Sequence, residues 1–252
     1  MKKSNKSTKH EFRDDKKEVL KKVSSHEDNI PVVSKTKFDA RKTLFYIILG
    51  SVIAGFGLLT FYVRQKPYFA LDLKITKEIQ EFNPTWFETL MNIITFIGNP
   101  LNSGILTALV VGVLFYKKRT KESIMLLAAV AGSTILTQII KAIVHRPRPT
   151  PHLIHQIGKY LSNDSFPSGH VMFYIMFFGF LWFLTFTLPK ENKYRTFLLW
   201  LFPIMILLIG PSRIYVGAHW FSDVMGAYLL GFVCLIVTTN IYSRWQKRPN
   251  AS

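Results

Sequence analysis

Cysteine occurs once, at Cys234, so no intrachain disulfide can hold the fold, and a thiol inside an apolar run reads as a packed side chain. There is no glycine-rich phosphate loop of the nucleotide-binding kind, no pair of CxxC elements and no internal repeat, which removes support for nucleotide-handling and zinc-finger functions. Acidic side chains are scarce, 15 against 32 Lys and Arg, for a formal charge of +17. Such an excess can mark a nucleic-acid partner. A basic tail flanking a membrane helix is more simply held by anionic lipid head groups, so the bilayer is the expected partner and nucleic acid is not. A cleaved secretory signal is not expected either, because the first apolar run begins only at Thr43.

What is abundant is apolar length. Hydrophobic residues make up 49% of the 252-residue chain and aromatics 14%. They gather in runs at Thr43 to Val63, Leu101 to Tyr116, Ser123 to Val144, Val171 to Leu188, Phe197 to Ile209 and Met225 to Tyr242. A helix needs about 20 residues to cross the hydrocarbon core. The runs therefore predict an all-α, polytopic membrane protein with six transmembrane helices, those at Leu101 and Phe197 being short. Trp86 to Ile97, amphipathic and bounded by Pro84 and Pro100, predicts an additional interfacial helix, with a seventh span as the alternative.

Residues 1–42 mix 13 basic with 7 acidic side chains without apolar periodicity and predict a disordered cytoplasmic tail. A membrane domain over 43–243 and a short basic C-terminus over 244–252 follow. Basic residues resist translocation in short loops. The tail, the loop after Tyr116, the stretch from Lys190 to Arg195 and the C-terminus together hold 23 of the 32 Lys and Arg. Both termini are thus expected to be cytoplasmic, and the loops from His145 to Phe166 and from Gly210 to Trp220 to face the outside of the cell membrane.

Those two loops concentrate His, Arg, Lys, Ser, Gly and Pro between apolar helices. His219 and Asp223 are four residues apart at the start of the last helix and share a face, so the carboxylate can hold one ring nitrogen and leave the other to attack. The competing structural reading is a His and an Asp that merely cap a helix. Lys141, Arg148 and Arg213 supply three positive charges suited to the equatorial oxygens of a phosphoryl group. Taken singly they read equally well as snorkelling or lipid-contacting side chains. Ser168 and Gly169 open a helix after Pro167, where unpaired backbone N–H groups and the helix dipole favour an anion, and a simple N-cap role for Ser168 is compatible with that. His170 is placed to act as a general acid.

Three stretches carry these residues: Lys141 with Arg148-Pro149 seven residues on; Phe166-Pro167-Ser168-Gly169-His170; and Ser212-Arg213 followed by His219 and Asp223. In order and spacing they resemble the three signatures of the type 2 phosphatidic-acid phosphatase superfamily, over roughly the last 160 residues and with no departure at these positions. The resemblance implies Lys141, Arg148, Ser168, Gly169, His170 and Arg213 around the phosphate, with His219 as nucleophile supported by Asp223. It also implies a membrane-bound hydrolase of lipid phosphates in lipid metabolism, working through a phosphohistidine without a cofactor. His219 attacks phosphorus, His170 protonates the departing oxygen, and water then releases phosphate.

A metal site built from the outward histidines with Asp164 and Asp223 is disfavoured, because Lys141, Arg148 and Arg213 would repel a cation there. Among substrates the resemblance offers undecaprenyl diphosphate of cell-wall carrier recycling, phosphatidylglycerophosphate and phosphatidic acid, and by analogy the first is preferred. A lipid-phosphate binding or transport protein is the non-enzymatic alternative, and it would have no use for both His170 and His219. The soluble vanadium haloperoxidases share the constellation, but the six apolar runs count against them. His145, Arg146, His152, His155 and Lys159 are left either to shape the entrance or to be solvated.

Overall fold

A computed structural model describes residues 40–157, 164–188 and 193–247 of the protein. Residues 45–252 group as one compact unit, and residues 1–44 as another, of which only the first turn of a helix is described. The tail expected over residues 1–39 and the last five residues lie outside the described ones.

Eight helices make up the described chain: α1 (Ala40–Gln65), α2 (Ala70–Glu81), α3 (Thr85–Ile97), α4 (Pro100–Tyr116), α5 (Thr120–Val144), α6 (Gly169–Phe186), α7 (Arg195–Tyr215) and α8 (Phe221–Gln246). Five of them, α1, α5, α6, α7 and α8, are long and apolar enough to cross a membrane. Helices α3 and α4 qualify together as a sixth span, bent by 64°. The helix expected over Trp86 to Ile97 therefore forms, but joined end to end with the short run that follows. The break is written locally: Pro100 cannot continue the ladder of α3, and Gly98 and Asn99 form the joint. Helix α2 was not expected at all.

Helix α6 is apolar on every face and lies inside the bundle against α5, α7 and α8, with Val171 to Phe180 almost wholly buried. Helix α1 is apolar all round too but exposed, with Tyr46, Ile47 and Leu58 more than half accessible, as a lipid-facing span requires.

Helix α7 contains Pro203 and Pro211, each of which deprives the carbonyl four residues earlier of its helical donor. Side chains from neighbouring helices make up the loss. Trp182 Nε1 donates to the Leu199 carbonyl at 3.1 Å, and the Tyr228 hydroxyl reaches the carbonyls of Ile206 (2.7 Å) and Leu207 (3.4 Å). This lets α7 run unbroken to Arg213, in place of the short run expected from Phe197. The end of α5, the starts of α6 and α8 and the end of α7 thereby meet at one end of the bundle.

Candidate active site

Six of the eight expected site residues, Lys141, Arg148, Gly169, His170, Arg213 and His219, line a single cavity of about 1170 Å³. They sit at its polar end. From there the cavity descends between α4 and α5, past Thr107, Val111 and Leu127, to Phe115 and Ser123 at the far ends of those helices. Ser168 and Asp223 are fully buried immediately behind its wall.

The cations come from three elements. Lys141 ends α5 and its ammonium donates to the carbonyl of Asp164 at 2.5 Å. Arg148 follows in the loop, donating from Nη1 to the carbonyl of Ala218 at 2.7 Å. The same nitrogen lies 3.3 Å from Nε2 of His219. A guanidinium only donates, so this contact needs the lone pair of Nε2 and puts the ring proton on Nδ1. Arg213 ends α7 and donates to the hydroxyl of Thr95 at 3.3 Å, while Ser212 bonds the Met91 carbonyl at 2.8 Å and also meets the Thr95 hydroxyl. The middle of α3 is thus tied to the end of α7.

Ser168 departs from expectation in two ways. Its backbone N–H is not open to an anion, because it donates to the carbonyl of Asp223 at 3.3 Å, and its hydroxyl makes no capping bond. The hydroxyl is instead buried without a partner. A buried O–H of this kind costs stability unless something bonds it. Gly169 and His170, in the first turn of α6, remain the positions whose N–H groups have no carbonyl within the helix.

His170 is held by the α3–α4 joint. Its Nε2 lies 3.3 Å from Oδ1 of Asn99. A Cβ placed on Gly98 would come within 2.6 Å of the ring, so only glycine lets the imidazole pack there. An amide oxygen accepts, which puts a His170 proton on Nε2, directed at Asn99. Asn99 and Thr95 were missed by the sequence reading. The Gly98-Asn99-Pro100 string signals a turn but nothing about chemistry.

His219 is buried in the turn between α7 and α8. Desolvation, followed by the positive charges of Arg148, Arg213 and Lys141, holds its imidazole well below the usual 6.5, so the ring is neutral at ordinary pH. Its Nδ1 is 3.6 Å from Oδ2 of Asp223, longer than a hydrogen bond.

The carboxylate of Asp223 is engaged elsewhere. Oδ2 accepts the backbone N–H of Trp220 at 2.9 Å, and Oδ1 is paired with Nη1 of Arg146 at 2.6 Å. Arg146, expected to shape the entrance or be solvated, is neither: its side chain is fully buried. It also pairs with Asp72 of α2 at 2.8 Å and with the hydroxyl of Ser222 at 2.7 Å. Of the other loop residues, His145 is exposed beside Asp164 at 3.6 Å. His152 and His155 line a separate shallow depression against α2, and Lys159 lies outside the described residues.

The family model for the PAP2 superfamily matches residues 122–247, half of the chain, and spans every motif residue just described. The chain belongs to the PAP2 superfamily. It is therefore an enzyme, a multi-pass membrane lipid phosphatase. The chain is 28% identical to phosphatidylglycerophosphatase B of Bacillus subtilis over 195 residues, covering 75% of this chain and 87% of that one. It is also 28% identical to lipid A 4'-phosphatase of Porphyromonas gingivalis, over 52% of this chain and 59% of that one. Its fold is like that of the crystal structure of a transmembrane PAP2-type phosphatidylglycerolphosphate phosphatase from Bacillus subtilis, with a TM-score of 0.68, 22% identity, and coverage of 80% of this chain and 98% of that one. Asp72, Thr95 and Asn99 all precede the stretch matched by the family model.

Proposed function

We propose that this PAP2 enzyme hydrolyses a lipid diphosphate, undecaprenyl diphosphate foremost, to the monophosphate. The observation that carries the reading is the shape of the cavity. One end presents three cations, two histidines and a helix start, and the remainder is a mainly apolar channel between α4 and α5, with Thr107, Thr134 and Gln138 among its lining, suited to a single long tail. Phosphatidylglycerophosphate is the second reading, favoured by the name of the Bacillus subtilis relative.

In the proposed mechanism the phosphoryl group sits among Lys141, Arg148 and Arg213, with oxygens directed to the N–H groups of Gly169 and His170 and to the Ser168 hydroxyl. Neutral His219 attacks phosphorus through Nε2, displacing Arg148 from its lone pair. His170, in its doubly protonated imidazolium form, gives a proton to the departing lipid phosphate oxygen and is left neutral, and the P–O bond breaks as the N–P bond forms. Water, deprotonated by His170, then attacks the phosphohistidine, releasing inorganic phosphate and restoring both rings. The cations do the work of charge stabilisation, so no metal enters the scheme. We further propose that both termini are cytoplasmic, with anionic lipid about the basic tail, and that the site opens to the outside.

The test is inorganic phosphate release from undecaprenyl diphosphate and from phosphatidylglycerophosphate by the purified protein and His219→Ala, in detergent with EDTA. Turnover by the wild type with a loss of several orders of magnitude in the variant is expected. A clear preference for phosphatidylglycerophosphate would sink the choice of substrate, and unimpaired His219→Ala would sink the mechanism.

A further inference from the structure

Helix α2 brings a second buried carboxylate to the site. Asp72 and Asp223 occupy the same position in their helices, the third residue, and each accepts the backbone N–H that opens the helix, from Phe69 at 3.0 Å and from Trp220 at 2.9 Å. Between them lies Arg146, its guanidinium bonded to Oδ2 of Asp72 and Oδ1 of Asp223, and packed over the ring of Phe69 at 5.4 Å. Asp72 is fixed further by Ser222, whose backbone N–H (2.8 Å) and hydroxyl (2.7 Å) both reach Oδ1. All three charged groups are at most 1% exposed.

Charge counting gives this array a purpose that packing alone does not. A lone Asp223–Arg146 pair is neutral, and a neutral pair offers little stabilisation to the positive charge that grows on His219 during attack. A second carboxylate on the far side of the guanidinium returns the array to a net charge of −1. We infer, resting on the reading of His219 as nucleophile, that Asp72 is a positioning residue. By neutralising Arg146 it keeps the Asp223 carboxylate effectively anionic toward His219, so that the phosphorylated imidazole is stabilised. The alternating order is Asp72, Arg146, Asp223, His219, with Lys141, Arg148 and Arg213 on the opposite, phosphate side.

The effect should fall on chemistry and not on substrate capture, since none of Asp72, Arg146 and Ser222 lines the cavity. Asp72→Asn keeps the size of the side chain and an acceptor for Ser222 while removing the charge. One nearby charge changes an imidazole's preference for its cationic form by about one to two pKa units. The expected result is therefore a kcat lower by about 10- to 100-fold with KM within about threefold.

The decisive comparison is Asp72→Asn combined with Arg146→Gln. Both charges are then gone and the array is again −1 once Asp223 is ionised; assayed at alkaline pH, where a buried carboxylate without its guanidinium is ionised, kcat should recover to within about tenfold of the wild type. A network that only staples α2 to α8 predicts the reverse, a double variant worse than either single one. Phosphate release from a lipid diphosphate in detergent, with thermal unfolding of each variant, reads both. Full activity in Asp72→Asn, or a double variant below the single one, overturns the inference. If Asp72→Asn does not fold, the double variant decides alone, and a loss of 100-fold or more overturns it. A wild type without turnover would instead count against the proposed function.

Discussion

Replacing Arg148 by Lys keeps the charge and removes the fork, and the structure allows the cost to be worked out. Nη1 of Arg148 already donates to the Ala218 carbonyl at 2.7 Å, on a fully buried residue, while the guanidinium also lines the cavity. A planar guanidinium can hold that carbonyl with one nitrogen and a phosphate oxygen with another. An ammonium on a flexible stem cannot span the two sites at once. If the lysine turns to phosphate, Ala218 is left with an unbonded buried carbonyl, costing about 1–3 kcal/mol of stability. If it stays on Ala218, the transition state loses a charge-assisted bond of about 1.5–3 kcal/mol, or about 10- to 150-fold in kcat/KM. Steady-state phosphate release from a lipid diphosphate, together with thermal unfolding of the same preparation, separates the two. An Arg148→Lys enzyme with kcat/KM within about twofold of the wild type and an unchanged melting temperature would refute the placement of phosphate beside Arg148.

Four further outcomes follow, two from His219 and two from glycines elsewhere in the molecule. Because burial and neighbouring cations hold His219 below 6.5 in the fold, it loses its nucleophilic lone pair only when the pH falls through that lowered value. The acid limb of kcat/KM, corrected for the substrate's own phosphate ionisation, should therefore lie below 6.5, and a limb at or above 6.5 would contradict the assignment. The same lowered value means the unfolded chain binds a proton that the native state refuses, so stability should decline as the pH drops below 6.5. Gly226→Ala would drive a Cβ to within 2.4 Å of the Phe166 ring, which is wholly buried and stacked on Phe56; overpacking of about 1–3 kcal/mol should appear as a lower melting temperature, and an unchanged one would count against the packing of α8 on Phe166. At Gly112, which lines the channel, a Cβ meets nothing within 4 Å; Gly112→Phe should slow hydrolysis of long-chain lipid phosphates while sparing short-chain ones, and an equal effect on both would deny the channel its tail.

Much of the site was legible because its chemistry is carried by residue types that an apolar chain has little other reason to hold. Lys141, Arg148, Gly169, His170, Arg213 and His219 stand out against hydrophobic runs, and order and spacing were enough to predict that they share one end of the bundle, where the cavity brings them together. The bundle was legible for the same reason, since about 20 apolar residues in water have almost no alternative to crossing a membrane.

What only the tertiary structure decided are the partners. The spacing of His219 and Asp223 reads as a simple couple, yet at 3.6 Å the two do not bond, and the carboxylate belongs to Arg146 and Trp220. Arg146 sits two residues from Arg148 in a polar loop, and nothing local says that one faces the cavity and the other is sealed behind it. Asp72 lies 151 positions before Asp223 in a helix the sequence reading did not find, and Asn99 reaches His170 only because α3 and α4 meet at 64°. Burial and ion pairing are set by which elements pack together, a non-local property. A motif records which residues a site needs, whereas the charge each one carries depends on neighbours contributed by the rest of the chain.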